Sequence, residues 1–418
     1  MQEKFEKLFY EFQPEDTAWG DWSHSPQAYF HGDVNIPDST MIAGYQIIKA
    51  PVQLDAEPIY HREVENLVFL GAKLPDVFSS WDAEIHFYMG KDLDHMEKVV
   101  VTDPTIIKVP KGWYHGPLTF VRVDKPVLFQ AILFSGRPGF IKSVAGSDGR
   151  PALYYSEEET HRRAACDCPK TPASLPWTVV NEDGVASYSD AGSYDPEKAP
   201  SSTEAVVYPG NPSKPYSDAT VLKAPKPPLS PETTKLVLAM PKEVTNWGAW
   251  CPSPQAYFRG DIYMEDASYN VGFQVFTAAN DMEESHFHQG VDEFIFFMGA
   301  DPMNIFDFDC EIEFFIGDDP DHMETKLITK PTVVRLPPTV WHSPIKFRKM
   351  KKPLIFQAAF LHGTWGTINR IDNAVTDVGI FKRNYSYMGD NVRFCKFNPK
   401  KRCNICGACF PKVAIKED

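Results

Sequence analysis

The sequence predicts an all-β chain built from two related halves, with few helices. Two observations carry this. First, the chain repeats itself at long range. Thr17-Ala-Trp-Gly-Asp-Trp22 returns as Thr245-Asn-Trp-Gly-Ala-Trp250, and Pro26-Gln-Ala-Tyr-Phe-His-Gly-Asp33 returns as Pro254-Gln-Ala-Tyr-Phe-Arg-Gly-Asp261. Leu67–Gly71 matches Ile295–Gly299, Asp94–Glu97 matches Asp321–Glu324, and Lys125–Gln130 matches Lys352–Gln357. The register holds throughout: Trp19 lies 228 residues before Trp247, and His115 lies 227 before His342. One long repeat used twice signals duplication, not a solenoid. Second, residues 286–298 read as a hairpin. His286 and His288 share one face of a strand. Gln289-Gly290-Val291-Asp292 is a tight turn in which Gly290 can take positive φ. Glu293-Phe-Ile-Phe-Phe-Met298 is the returning strand.

The elements follow in order. Residues 1–16 are expected to be an N-terminal helix, because Phe5, Leu8, Phe9 and Phe12 fall on one helical face. Residues 17–140 form the first repeated unit and 241–375 the second. Between them, residues 141–240 are rich in Pro and Ser and lack apolar periodicity, as in Lys-Ala-Pro-Lys-Pro-Pro-Leu-Ser-Pro. They read as a connector that wraps the surface or covers a sheet edge. Ser156–Arg163 is expected to form a short helix. Asp92-Leu-Asp94 and Asp318-Asp-Pro-Asp321 read as solvated turns carrying His95 and His322 on the surface. Gln130 and Gln357 interrupt apolar strands and are expected to face the interior. Residues 376–418 are a Cys-rich tail.

The chemistry concentrates in the second half. Glu293 returns beside His286 and His288, and His342, in Leu-Pro-Pro-Thr-Val-Trp-His-Ser-Pro, is placed to join them from a distant strand. Three imidazoles and a carboxylate suit one divalent transition metal: Mn, Fe, Zn, Ni or Co. His-x-His, four residues, Glu, five residues, Gly299 resembles the first motif of the cupin superfamily, and Pro337–His342 resembles the second. The resemblance is to a bicupin and covers roughly residues 17–139 and 245–366. It implies two double-stranded β-helix domains, jelly-roll relatives, with metal ligands His286, His288, Glu293 and His342. The first half departs from the motif. With His61 on His288, Ile59 stands at the place of His286; without a gap, Tyr60 falls on His288 instead. Glu65 matches Glu293 and His115 matches His342. His61, Glu65 and His115 are a second metal site or a pocket. Gln357, Glu284 and His362 are further candidates for contact with substrate.

A net charge of −14 argues against nucleic acid and anionic membranes as partners. There is no run of about 20 apolar residues and no secretory leader, so a cytoplasmic protein is expected, monomer or homodimer, with a small-molecule substrate. Of eight cysteines, Cys251 and Cys310 read as buried hydrophobes. Cys403, Cys406 and Cys409 resemble the cluster-binding run of bacterial ferredoxins, with Cys395 as a fourth thiolate in place of the missing Cys-Pro. Structural zinc or an iron–sulfur cluster both fit this tail, and a cluster points to anaerobic metabolism.

A cupin fold does not fix chemistry. The reading preferred is a metal-dependent hydrolase or isomerase, in which the metal acts as a Lewis acid on a small oxygenated, enolisable substrate such as a cyclic diketone or keto compound. The alternatives are decarboxylation, an Fe(II) dioxygenase, and a non-catalytic ligand-binding bicupin.

Overall fold

A computed structural model describes residues 1–14, 22–24, 27–54, 58–74, 76–136, 228–243, 248–282, 285–288, 290–362 and 366–368, and the backbone of strands within 139–145, 151–157, 178–180, 369–372, 379–384, 394–395 and 398–402. The architecture is β-sheet, with α-helix limited among the described residues to the single turns Glu3–Glu6 and Pro231–Thr234. The chain divides into two compact units. One comprises Met1–Phe12, Lys73–Asp76 and Met240–Asp418; the other comprises Gln13–Ala72 and Val77–Ala239.

The unit holding the second repeat has two sheets. The first runs in the order Phe9–Glu11, Thr332–Leu336, Glu293–Gly299, Leu354–Phe360, Asn270–Phe276, Gln255–Phe258, Lys242–Glu243. The second runs Met323–Ile328, Cys310–Gly317, Trp341–Met350, His286–His288, Thr367–Asp372, Gly379–Asn384. Every strand pairing among the described residues is antiparallel, so one face of each sheet can meet a shared core while the other is covered separately. That core sits between the sheets: Ile295, Phe297, Phe356 and Phe360 from the first meet Ile312, Phe314, Ile316, Ile345 and Phe347 from the second. The first repeat is built alike, with Glu65–Gly71 between Thr105–Val109 and Val127–Leu133, and Ile59–Tyr60 beside Tyr114–Val123. Its core packs Leu67, Phe69, Phe87, Phe120 and Phe129.

Three expectations are corrected. The helix expected over residues 1–16 is a single turn, Glu3–Glu6. Four residues are too few to hold a helix by themselves, and Phe9–Glu11 instead pairs with Thr332–Val334 as an edge strand. Phe9 then meets Phe314 edge-on, with ring centroids 5.5 Å apart. Second, Ser156 and Glu157 end a strand, Pro151–Glu157, that pairs with Gly139–Ala145; the rest of the expected helix at 156–163 lies outside the described residues. Third, Gln130 and Gln357 do not face the interior. Phe356, Ala358 and Phe360 belong to the core, so Gln357 between them points the other way, beside Phe273 and Phe296. Gln130 is likewise of opposite parity to Phe129, which lies in the core of the first repeat.

Candidate metal centre

In the second repeat, strand pairing assembles the site. His286 is directly opposite His342. His288 shares its face two residues on, and the chain turns at Gly290, which takes φ 72° as the turn requires. Glu293 then begins the returning strand. The ligand-capable nitrogens of His286, His288 and His342 all lie within 4.8 Å of one another. Glu293 Oε2 is 3.0 Å from His288 Nε2 and 3.2 Å from His342 Nε2. All four side chains are buried, each at most 4% exposed.

The far side of two rings is fixed by the backbone. His288 Nδ1 donates to the Gly366 carbonyl at 3.0 Å, and His342 Nδ1 donates to the Val340 carbonyl at 3.1 Å. A carbonyl can only accept, so both protons sit on Nδ1 and Nε2 is the nitrogen presented to the site. Burial pushes the Glu293 carboxyl up, but the facing imidazoles of His288 and His342 outweigh it and hold the group well below the ordinary carboxylate range. Glu293 is therefore ionised at neutral pH.

The first repeat makes a reduced copy. Ile59 pairs with His115 as His286 pairs with His342, which places His61 on His288 and apolar Ile59 at the missing ligand. His61, Glu65 and His115 still converge within 4.8 Å. His115 Nδ1 donates to the Trp113 carbonyl at 3.1 Å, the counterpart of the His342 contact. Glu65 Oε2 lies 3.1 Å from His115 Nε2 and 3.8 Å from His61 Nε2 without a well-aligned hydrogen bond. Burial raises its carboxyl and the facing His115 and His61 lower it further, leaving it below its usual value. A buried carboxylate oxygen and two imidazole nitrogens aimed at one point fit a divalent cation in chemistry as well as placement.

The other sequence candidates fall elsewhere. Gln357 is on the face opposite Glu293. His362 is exposed, and its backbone carbonyl accepts a hydrogen bond from Asn270. Glu284 lies outside the described residues, as do Cys403, Cys406 and Cys409; Cys395 ends the short strand Phe394–Cys395. His95 and His322 are on exposed turns, each held by an aspartate, Asp92 and Asp319.

No family model matches the chain, and no curated protein matches it. Solved structures do. Oxalate decarboxylase from Bacillus subtilis at pH 4.6 superposes with a TM-score of 0.51 at 9% identity, over 87% of this chain and 78% of that one. A single-residue variant of the same enzyme gives a TM-score of 0.51 at 10% identity, over 87% and 79%. No helix among the described residues is long and apolar enough to cross a membrane. The likeness covers 87% of the chain, and the fold of its repeats is that of a bicupin.

Proposed function

We propose that the second repeat is a metal-dependent catalytic centre, with His286, His288, Glu293 and His342 as ligands of one divalent transition metal. The observation that carries this is the convergence of three buried imidazoles and a buried, ionised carboxylate, with Nε2 of His288 and His342 turned inward by backbone carbonyls. Burying three imidazoles and a carboxylate together is costly, and a bound cation would offset that cost. A divalent ion bound there supplies Lewis acidity, polarising a substrate oxygen and lowering the pKa of a bound water.

The protein's own residues set the rest. Glu293, held ionised, serves as ligand or proton acceptor and not as a general acid. Phe360 packs edge-on against the His288 ring at 5.1 Å. Leu336 lies opposite Glu293 across the strand pair and is buried like Phe360, so the carboxylate has apolar neighbours. In such a setting each charge acts strongly. The substrate class is a small oxygenated, enolisable compound, and the reaction class is carbon–carbon cleavage or isomerisation next to a carbonyl. The likeness to a decarboxylase supports cleavage beside a carboxylate ahead of isomerisation, and hydrolytic cleavage of a diketone uses the same polarised oxygen. The first repeat, with Ile59 for the third imidazole, is a weaker and more open site. The C-terminal thiolates are a separate zinc or iron–sulfur site.

The test is an anaerobic assay of metal-loaded full-length protein against small oxo acids and cyclic diketones. Full turnover without oxygen is expected. A rate proportional to dissolved oxygen, with isotopic oxygen entering product, would replace this reading with a dioxygenase.

A further inference from the structure

The carboxylate of the histidine cluster is held from behind. Glu293 opens its strand directly after the turn at Gly290. Four residues stand between His288 and Glu293, against three between His61 and Glu65 in the first repeat. A longer turn has more conformations to lose, so by itself it fixes the next residue less well. Asp292, the last residue of that turn, is fastened by both its side chain and its backbone. Arg335 Nε lies 3.2 Å from each carboxylate oxygen of Asp292, and Nη2 lies 2.9 Å from Oδ2. The Asp292 backbone carbonyl accepts from Leu361 N–H at 3.0 Å. Arg335 is anchored in turn: it is 8% exposed, and its N–H donates to the Leu8 carbonyl at 2.9 Å. A guanidinium that bonds a carboxylate through more than one nitrogen sets direction as well as distance.

Arg335 is opposite Phe294, on the face of the sheet turned away from Glu293, so the ion pair stands behind the carboxylate and not among the histidines. In the first repeat Val64 and Lys108 occupy the places of Asp292 and Arg335, and a valine gives a cation nothing to hold. The two carboxylates differ accordingly. Glu293 Oε2 is nearly midway between its imidazoles, 3.0 Å from His288 Nε2 and 3.2 Å from His342 Nε2. Glu65 Oε2 leans to one side, 3.1 Å from His115 Nε2 and 3.8 Å from His61 Nε2. We propose that Asp292 and Arg335 are positioning residues for the metal centre: their ion pair fixes the end of the turn and so aims Glu293 at the point where the imidazoles converge. This deepens the reading of the second repeat as a metal centre and rests on it. It also gives the buried pair a role beyond stability, to which an apolar pair of the same size contributes as much or more.

The experiment uses full-length protein carrying His61→Ala, so that added cobalt(II) reports the second repeat. Chelator competition reads the cobalt affinity, the visible spectrum reads the ligand geometry, and circular dichroism reads the fold. Replacing the pair by apolar side chains, Asp292→Val with Arg335→Leu, is expected to keep the fold. Cobalt should then bind about ten-fold more weakly, the low end for residues that orient a ligand from outside the coordination sphere. Its visible bands should shift, because Glu293 is no longer held in place. Asp292→Asn keeps an acceptor for the guanidinium, so it should lose about three-fold in affinity and keep the parent bands. An apolar pair that binds cobalt as tightly as the parent with unchanged bands overturns the proposal, as does an Asp292→Asn protein that loses as much as the apolar pair. Should the apolar pair fail to fold, Arg335→Lys takes its place, since lysine keeps the charge but not the planar fork; parent affinity in that variant overturns the proposal equally. A parent protein that binds no cobalt is a different result: it removes the metal reading itself, and this inference falls with it.

Discussion

Thr339 shows how single residues hold the two histidine-bearing segments together. Its backbone takes φ 75°, and its N–H donates to the His288 carbonyl at 3.0 Å. Gly112 does the same in the first repeat, with φ 74° and a 2.8 Å bond to the His61 carbonyl. A β-branched residue in the left-handed region costs about 1–2 kcal/mol, and glycine returns part of that as chain entropy, about 0.5–1 kcal/mol. Thr339→Gly is therefore expected to stabilise the second unit by roughly 0.5–1 kcal/mol, raising its melting temperature by about 2–3 °C. A calorimetric scan that shows a lower melting temperature would contradict this account of the turn. The convergence of His286, His288, Glu293 and His342 was legible because their residue types and spacing are specific. The buried amide of Asn270, which bonds the His362 carbonyl, was not legible, because a single amide in an apolar strand carries no motif. Gln357 was misread for a related reason. Its strand is buried on both faces, with Ile355 and Ala359 as inaccessible as Phe356 and Phe360, so no polar alternation shows which face is the interior.

At the scale of elements, the N-terminal arm completes the second unit. Phe5 is 3% exposed within its core, Arg335 N–H donates to the Leu8 carbonyl, and Phe9–Glu11 covers the edge of Thr332–Leu336. Phe5→Ala is expected to cost about 3 kcal/mol, the lower end for a buried phenylalanine. Deleting residues 1–12 should expose that strand edge and promote association; light scattering after the deletion checks it, and an unchanged monodisperse protein would show that the arm is dispensable. The same apolar residues that suggested one helical face are used here by one helical turn followed by a strand, because an unpaired sheet edge outweighs a marginal helix. The duplication itself was readable in the sequence, but the alignment at His61 was open. Three residues separate His61 from Glu65 against four between His288 and Glu293, and a one-residue change in turn length is visible only once Ile59 is seen opposite His115.

For the whole molecule, acid should dismantle the site in a defined order. Imidazoles bind metal only when neutral, so protons compete with the metal and it should dissociate as the solution is acidified from neutral pH. Glu293, with its folded pKa depressed, contributes stability that is present above the ordinary carboxylate pKa of ~4.3 and is lost as pH falls below it. Metal release is therefore expected before unfolding, and the two transitions can be followed together by metal-sensitive dye and circular dichroism. Coincident transitions would mean that the metal is needed for the fold. The central claim is that the second repeat holds the working metal, and elemental analysis of three purified proteins tests it most directly. His288→Ala should carry one metal ion fewer per chain than the wild type with its fold retained, while His61→Ala changes the count by less. A His288→Ala protein with the wild-type metal content, or a full loss of one ion in His61→Ala instead, would contradict the account.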